Sequence, residues 1–295
     1  MYELIQVGKR TYYINCPAKI GIYKINDTEV CLIDSGNDKE AGKKILKILA
    51  ANQWTLKMII NTHSHADHIG GNCLLQQRTH CEIYTVGIES AFTSFPILES
   101  SFLYGGYPCK ELRNKFLCAQ PSNVKILTKE VLPEGMETIE IKGHSLDMIG
   151  LKTEDSIWFL ADALTSEATI EKYHVPFLYD VESYIETLHM IENLEGDLFI
   201  PSHAEPVEDI SALVRINLEQ VQQLVGLLLE ICKNEIAFDD ILQTVFGHYQ
   251  LKMDFSQHVL VGSTISSYLA YMHEQKMLDV VFIDEKLCWK TNFFD

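Results

Sequence analysis

Residues 63 to 68 read HSHADH, which places His63, His65, Asp67 and His68 within six positions. Imidazole and carboxylate groups together suit zinc, iron and manganese. Four donors packed so closely are strained around one ion but divide readily between two, His63 and His65 on one side, Asp67 and His68 on the other. Each ion then needs ligands from elsewhere in the chain. His144 in KGHSLD, Asp162 in WFLADAL and His203 in IPSHAEP are the candidates, each beside an expected strand end, where loops present functional groups. A carboxylate has two oxygens, so Asp162 is the best placed to bridge two metals.

These side chains have to be positioned by short strands. MIINT predicts a buried strand over 58–62 that delivers the histidine cluster onto a loop. KIGIYKINDTEVCLIDSG predicts a hairpin turning near Asn26 and Asp27, with Val30 to Ile33 as a buried strand ending at Asp34. A helix follows over 39–52, with Ala41, Ile45, Ile48 and Leu49 on one face. Further strands are expected at 82–86, 124–127, 137–142, 156–161 and 198–200, and a helix at 181–194. This alternation predicts sheets flanked by helices, an α/β (α+β) chain. GNDKEAGKK, residues 36–44, lacks the spacing and the Ser or Thr of a nucleotide-triphosphate loop.

In order along the chain, Asp34, THSHADHIGG, GHS, the Asp of LAD and the His of PSH resemble the motifs of the metallo-β-lactamase superfamily, hydrolase branch, with a glyoxalase II-like dinuclear site. The resemblance covers about residues 5 to 206. It implies a four-layer αββα sandwich with two divalent ions at one sheet edge. It assigns His63, His65 and His144 to one metal, Asp67, His68 and His203 to the other, and Asp162 as the bridge. Asp34 then orients a ligand, a support that metal-bound imidazoles generally require. The His at position 65 differs from the Glu of flavodiiron relatives, and the bridging Asp162 differs from true β-lactamases. The first departure points away from redox chemistry on iron and oxygen, and the second away from antibiotic hydrolysis.

Two such ions hold a water between them and lower its pKa toward neutrality, which supplies hydroxide to attack an ester, thioester or lactone. Asp67 and Asp162 are the expected catalytic carboxylates, Asp67 as a ligand or as an acid for the leaving group. Zinc is the first choice of metal, and iron and manganese accept the same ligands. A phosphodiesterase or ribonuclease of the same fold and a non-catalytic ligand-sensing metalloprotein are the alternatives. The segment 88–130 gathers Phe92, Phe95, Phe102, Tyr104, Tyr107 and Phe116 around Gly105 and Gly106. It reads equally as an aromatic-lined lid or as a helical pair filling core or a dimer interface. Tyr104, Tyr107, Tyr173 and His174 are the candidate substrate-pocket residues.

The 295 residues carry a formal charge of −17, a field that disfavours nucleic acid and fits a small-molecule substrate. No run approaches 18 apolar residues, which argues against a membrane span. MYELIQVGKRTYYINCP lacks the basic start and apolar stretch of a secretory leader, so a cytoplasmic home is expected. The eight cysteines show no CxxC pair and read as reduced core residues. Residues 1–210 are expected to form the catalytic domain, and residues 211–295 a helical, winged-helix-like appendage that serves a structural or homodimerising role. That appendage has a wing predicted at 280–283 and 287–290, turning at Asp284 and Glu285. Its 6 basic and 11 acidic residues do not make a DNA-binding face.

Overall fold

A computed structural model describes residues 2–292. Seven strands form the first sheet in sequence order: β1 (Glu3–Gln6), β2 (Thr11–Asn15), β3 (Ile20–Lys24), β4 (Glu29–Ile33), β5 (Thr55–Ile60), β6 (Glu82–Thr85) and β7 (Lys125–Ile126). β1 to β4 run antiparallel and β4 to β7 parallel. The second sheet has the order β11-β10-β9-β8, from β8 (Glu137–Glu140), β9 (Ile149–Lys152), β10 (Ile157–Phe159) and β11 (Leu198–Ile200), with β10 and β11 parallel.

The period-two alternation of strand side chains builds the layers. On β4, Cys31 and Ile33 point into a core shared with Ile149, Leu151, Phe159 and Ile200 of the second sheet. Val30 and Leu32 point the other way, against Ile45 and Leu49 of α1 (Lys39–Ala51). Beyond the second sheet, Trp158 and Phe199 pack on Tyr184, Leu188 and Ile191 of α7 (Val181–Ile191). The result is the expected αββα sandwich. The remaining helices of this part are α2 (Ala66–Ile69), α3 (Asn72–Thr79), α4 (Glu89–Ser94), α5 (Ile97–Tyr104) and α6 (Glu167–Tyr173).

After α8 (Ser211–Ile231) come β12 (Ile236–Ala237), α9 (Phe238–His248), α10 (Phe255–Glu274), β13 (Leu278–Ile283) and β14 (Lys286–Thr291). This helix-strand-helix-helix-strand-strand order, with a β12-β14-β13 sheet, is a winged-helix arrangement. Ile283 pairs with Lys286, and Asp284 and Glu285 both have positive φ, as a two-residue hairpin turn of type I′ requires.

Several expectations are corrected in detail. The histidine cluster lies on a loop only as far as His65, because Asp67 and His68 ride on the one-turn helix α2. The strands expected at 137–142 and 156–161 end two residues early, at Glu140 and Phe159. Ladder-type hydrogen bonds continue just beyond them, from Ile141 N to Met148 O, from Leu160 N to Ile200 O and from Ser202 N to Ala161 O, and the chain then turns to place His144 and Asp162. β1, β2 and β9 are additional to the expected strands: β2, TYYIN, is rich in strand-forming residue types, whereas β1 and β9 are four residues each and are held by pairing with their neighbours.

Candidate metal centre

β4, β5, β10 and β11 end on one edge of the sandwich, and β8 leads into a loop beside them. Their following residues are therefore neighbours in space. Asp34 closes β4 in the left-handed region, φ 64°, a conformation that Asp tolerates better than most residues. Its Oδ1 accepts the Thr62 N–H at 2.8 Å, and its Oδ2 accepts the Thr62 hydroxyl at 2.7 Å and His68 Nδ1–H at 2.8 Å. The Thr62 hydroxyl, spent as a donor on Asp34, is left to accept His63 Nδ1–H at 3.1 Å. His144 Nδ1 donates to the Phe177 carbonyl at 3.1 Å and His203 Nδ1 to the Pro17 carbonyl at 3.0 Å. Four imidazoles thus donate outward from Nδ1 and turn Nε2 inward. His65 is reversed: its Nδ1 lies 3.0 Å from His144 Nε2, and its Nε2 faces Glu99 Oε1 at 3.6 Å.

The inward donors form two sets, His63, His65, His144 and Asp162, and Asp67, His68, Asp162 and His203. Within each set the ligand atoms lie within 4.8 Å of one another. Asp162 belongs to both. Buried polar atoms normally find a partner, yet His63 Nε2, His68 Nε2 and Asp162 Oδ1 have none, three of the five such atoms among the described residues. His68 Nε2 and Asp162 Oδ1 stand 3.1 Å apart. With the His68 proton committed to Asp34, both atoms present lone pairs, which only a proton or a cation between them reconciles. The donor set therefore fits metal ions.

Charge within the cluster is uneven. Burial pushes the Asp162 carboxyl up, but facing His203 and His68 outweigh it and hold it well below the carboxylate range. Burial likewise opposes, and His68 and His203 overcome, in holding Asp67 low. Asp162, against burial, raises His203 to about 10. On the other side burial, reinforced by His68 and His65, keeps His63 well below its usual value. Burial also lowers His144 to about 3 despite the pull of Asp162. His63 and His144 are thus held neutral, whereas Asp67 and Asp162 are held ionised by the facing His68 and His203.

Glycine permits two close passages here. A Cβ on Gly71 would lie 2.3 Å from the Ser35 carbonyl oxygen, and one on Gly143, φ 114°, would lie 2.4 Å from the Tyr184 backbone. Sequence reading missed the residue that ties the ligand loops together. Glu89, fully buried at the start of α4, accepts from Ser64 N at 2.9 Å and the Ser64 hydroxyl through Oε2. Its Oε1 accepts from the Ser145 hydroxyl at 2.6 Å and Asp147 N at 3.0 Å. It links the loop of His63 and His65 to that of His144. The serines beside those histidines were the available signal, but nothing in sequence connects them to position 89. Lys19, also buried, holds the loop of His203 by donating to the Ala204 carbonyl at 2.7 Å.

Beside the cluster lies a cavity of about 230 Å³ whose lining includes Glu99, Leu103, Phe116, Leu117, Phe177 and Leu260. Tyr104, Tyr107, Tyr173 and His174 are not on it. Tyr104 borders a separate groove of about 940 Å³ between α5 and α10. Tyr107 is largely exposed, with Arg113 over its ring. Tyr173 lies half-exposed under Lys172, and His174 stacks on Tyr249 at 4.6 Å. Of the aromatics in segment 88–130, Phe116 lines the cavity and Phe92 is buried.

The sandwich and its edge of histidines define a class. The family model of the metallo-beta-lactamase superfamily matches residues 16–203. The chain belongs to that superfamily. Among curated relatives it is 24% identical over 201 residues to an atrochrysone carboxyl ACP thioesterase of Aspergillus fumigatus, covering 66% of this chain and 53% of that protein. It is 33% identical over 147 residues to a hydroxyacylglutathione hydrolase of Rhodopseudomonas palustris, covering 49% and 48%. The chain spans about half the length of these relatives. A beta-lactamase domain protein from Burkholderia ambifaria superposes with a TM-score of 0.74 at 16% identity, covering 98% of this chain and 94% of that one. A metallo-beta-lactamase family protein from Thermus thermophilus gives 0.73 at 15%, covering 99% and 98%. At such identities the two structures share the fold, C-terminal region included.

Proposed function

We propose that the chain is a dinuclear metal-dependent hydrolase that cleaves a small-molecule ester, thioester or lactone, with zinc as its resident ion. The observation that carries this reading is the pair of donor sets sharing Asp162, with three buried, unpartnered atoms turned into the space between them. His63, His65, His144 and Asp162 would hold one ion, and Asp67, His68, His203 and Asp162 the other. Bound there, two divalent ions would supply an activated water at neutral pH and a Lewis acid for the substrate oxygen.

The chain's own residues supply the remaining parts. Asp34 fixes the tautomer and ring plane of His68, and Thr62 does the same for His63. The Phe177 and Pro17 carbonyls hold His144 and His203. Asp67, the more exposed of the two central carboxylates, is placed to hold an ion and to face a departing group. Apolar side chains wall the cavity on one side of the cluster. The names of the two relatives, an acyl-carrier thioesterase and a hydrolase of hydroxyacylglutathione, support thioester cleavage among the three bonds.

Turnover by the metal-loaded chain against thioester, ester, lactone and bis-aryl phosphodiester panels, with and without chelator, tests the proposal. Hydrolysis of an acyl substrate that is abolished by chelation, by His65→Ala and by Asp162→Ala is the expected result. Activity surviving both substitutions, or confined to phosphodiesters, contradicts it. A cytoplasmic location and self-association as a homodimer are further proposals. No helix among the described residues is long and apolar enough to cross a membrane. Fractionation and light scattering test the two.

A further inference from the structure

The cavity beside the metal-ligand residues has walls of one character. Leu103, Phe116, Leu117, Phe177 and Leu260 line it together with Ala66, and Glu99 is the one ionisable group it adds to the four ligand-type residues that form its floor. No Lys or Arg lines it. Lys115 Nζ lies 5.1 Å from the centroid of the Phe116 ring but is outside the lining and paired with Asp38 Oδ2 at 2.8 Å, and Lys19 is spent on the Ala204 carbonyl. At about 230 Å³ the cup is smaller than the roughly 300 Å³ at which pockets for drug-sized ligands begin. It therefore admits part of a substrate. The floor of the cup is where the scissile carbonyl has to sit, so the part it admits is one of the two groups attached to that carbonyl.

We propose that this cup selects an uncharged, apolar acyl group and rejects acyl groups that end in a carboxylate or phosphate. The assignment rests on the hydrolase reading above and narrows its substrate class. A carboxylate at the far end of the acyl group, away from the ligand residues, would leave water for apolar walls with no Lys or Arg to receive it, and burying an unpaired charge is strongly unfavourable. Glu99 faces His65 from the same cup and is 8% exposed, so the added polar group is itself acidic and offers an anion no counter-charge. The net charge of −17 adds long-range repulsion in the same direction. Leu260 comes from α10, which gives the C-terminal region a share in specificity.

The test compares acyl groups of nearly equal size on one leaving group. With the zinc-loaded chain, the pentanoyl thioester of N-acetylcysteamine is expected to exceed the succinyl thioester by at least about tenfold in kcat/KM. Calorimetric titration with pentanohydroxamic acid and succinic acid monohydroxamate reads the same preference without turnover, again with at least about a tenfold difference in Kd. Leu260→Lys, which offers a cation, should shrink both ratios severalfold, whereas Leu260→Gln should keep them above unity. Equal treatment of the two acyl groups by the unmodified chain, or binding of neither hydroxamate, overturns the cup assignment. Ranked hydroxamate binding with no thioester, ester or lactone turnover supports the cup and overturns the hydrolase reading instead.

Discussion

Asp34 shows how much of the centre depends on a side chain with no place in the histidine motif. It spends one oxygen on the Thr62 amide and shares the other between the Thr62 hydroxyl and His68. In Asp34→Asn an amide N–H faces one of these donors, so His68 loses its fixed tautomer or Thr62 loses a partner. Metal affinity, read by competition with a coloured chelator, should fall about 10- to 100-fold. Unchanged affinity would remove Asp34 from this role. Glu89 accepts four donors with two oxygens, and Glu89→Gln turns an NH2 toward two of them. Hydrogen bonds to buried charges being worth about 1.5–3 kcal/mol each, urea titration should show a loss of at least about 2 kcal/mol. The ligand-type residues were legible because their chemistry is carried by residue type and close spacing. Glu89 and Glu99 were not, because a buried carboxylate 25 or more residues away is given its work only by the folded chain.

Strand ends position the centre, and the elements that were hard to read are those whose pattern is not their own. Asn26 and Asp27 announce the β3–β4 hairpin, whereas β1 and β9, four residues each, take their conformation from neighbours. One tertiary contact fixes the first hairpin to the second sheet. Asp155, in the β9–β10 turn, accepts from Lys9 N at 3.0 Å, Arg10 N at 2.9 Å and the Thr11 hydroxyl at 2.7 Å. Burial pushes the Asp155 carboxyl up, but these donors outweigh it and leave it below the ordinary value of 3.8. A carboxyl depressed by folding contributes stability that is whole above its unfolded pKa and is lost as the pH falls through the folded one. The difference in unfolding free energy between the unmodified chain and Asp155→Asn should therefore be constant above about pH 5 and shrink below about pH 4. A difference that does not vary with pH would refute the assignment. GNDKEAGKK, set aside as a phosphate loop, has a different use: Asp38 caps α1 by accepting from Glu40 N and Ala41 N, worth about 1 kcal/mol.

The whole molecule is knitted by a core that crosses the division expected at residue 210. Leu160, Phe199 and Leu188 share one cluster with Val214, Leu224, Leu228, Ile241, Ile265 and Leu269. We propose units 1–210 and 211–295 as divisions of the sequence that fold on one another. A chain ending at 210 would expose this apolar face to water. It should bind hydrophobic dye and lose its near-ultraviolet dichroism, and a cooperative unfolding transition from the truncated chain would show that the first unit stands alone. The αββα layers were readable from alternating strands and helices, and the shared core was not, because the α8 stripe shows that a face is apolar without showing what covers it. The central claim is that seven side chains, brought together from separate stretches of the chain, hold two cations. Elemental analysis of the chain equilibrated with zinc and freed of excess ion measures it most directly. Two ions per chain, falling in Asp162→Ala, is the predicted result, and one or none in the unmodified chain would contradict it.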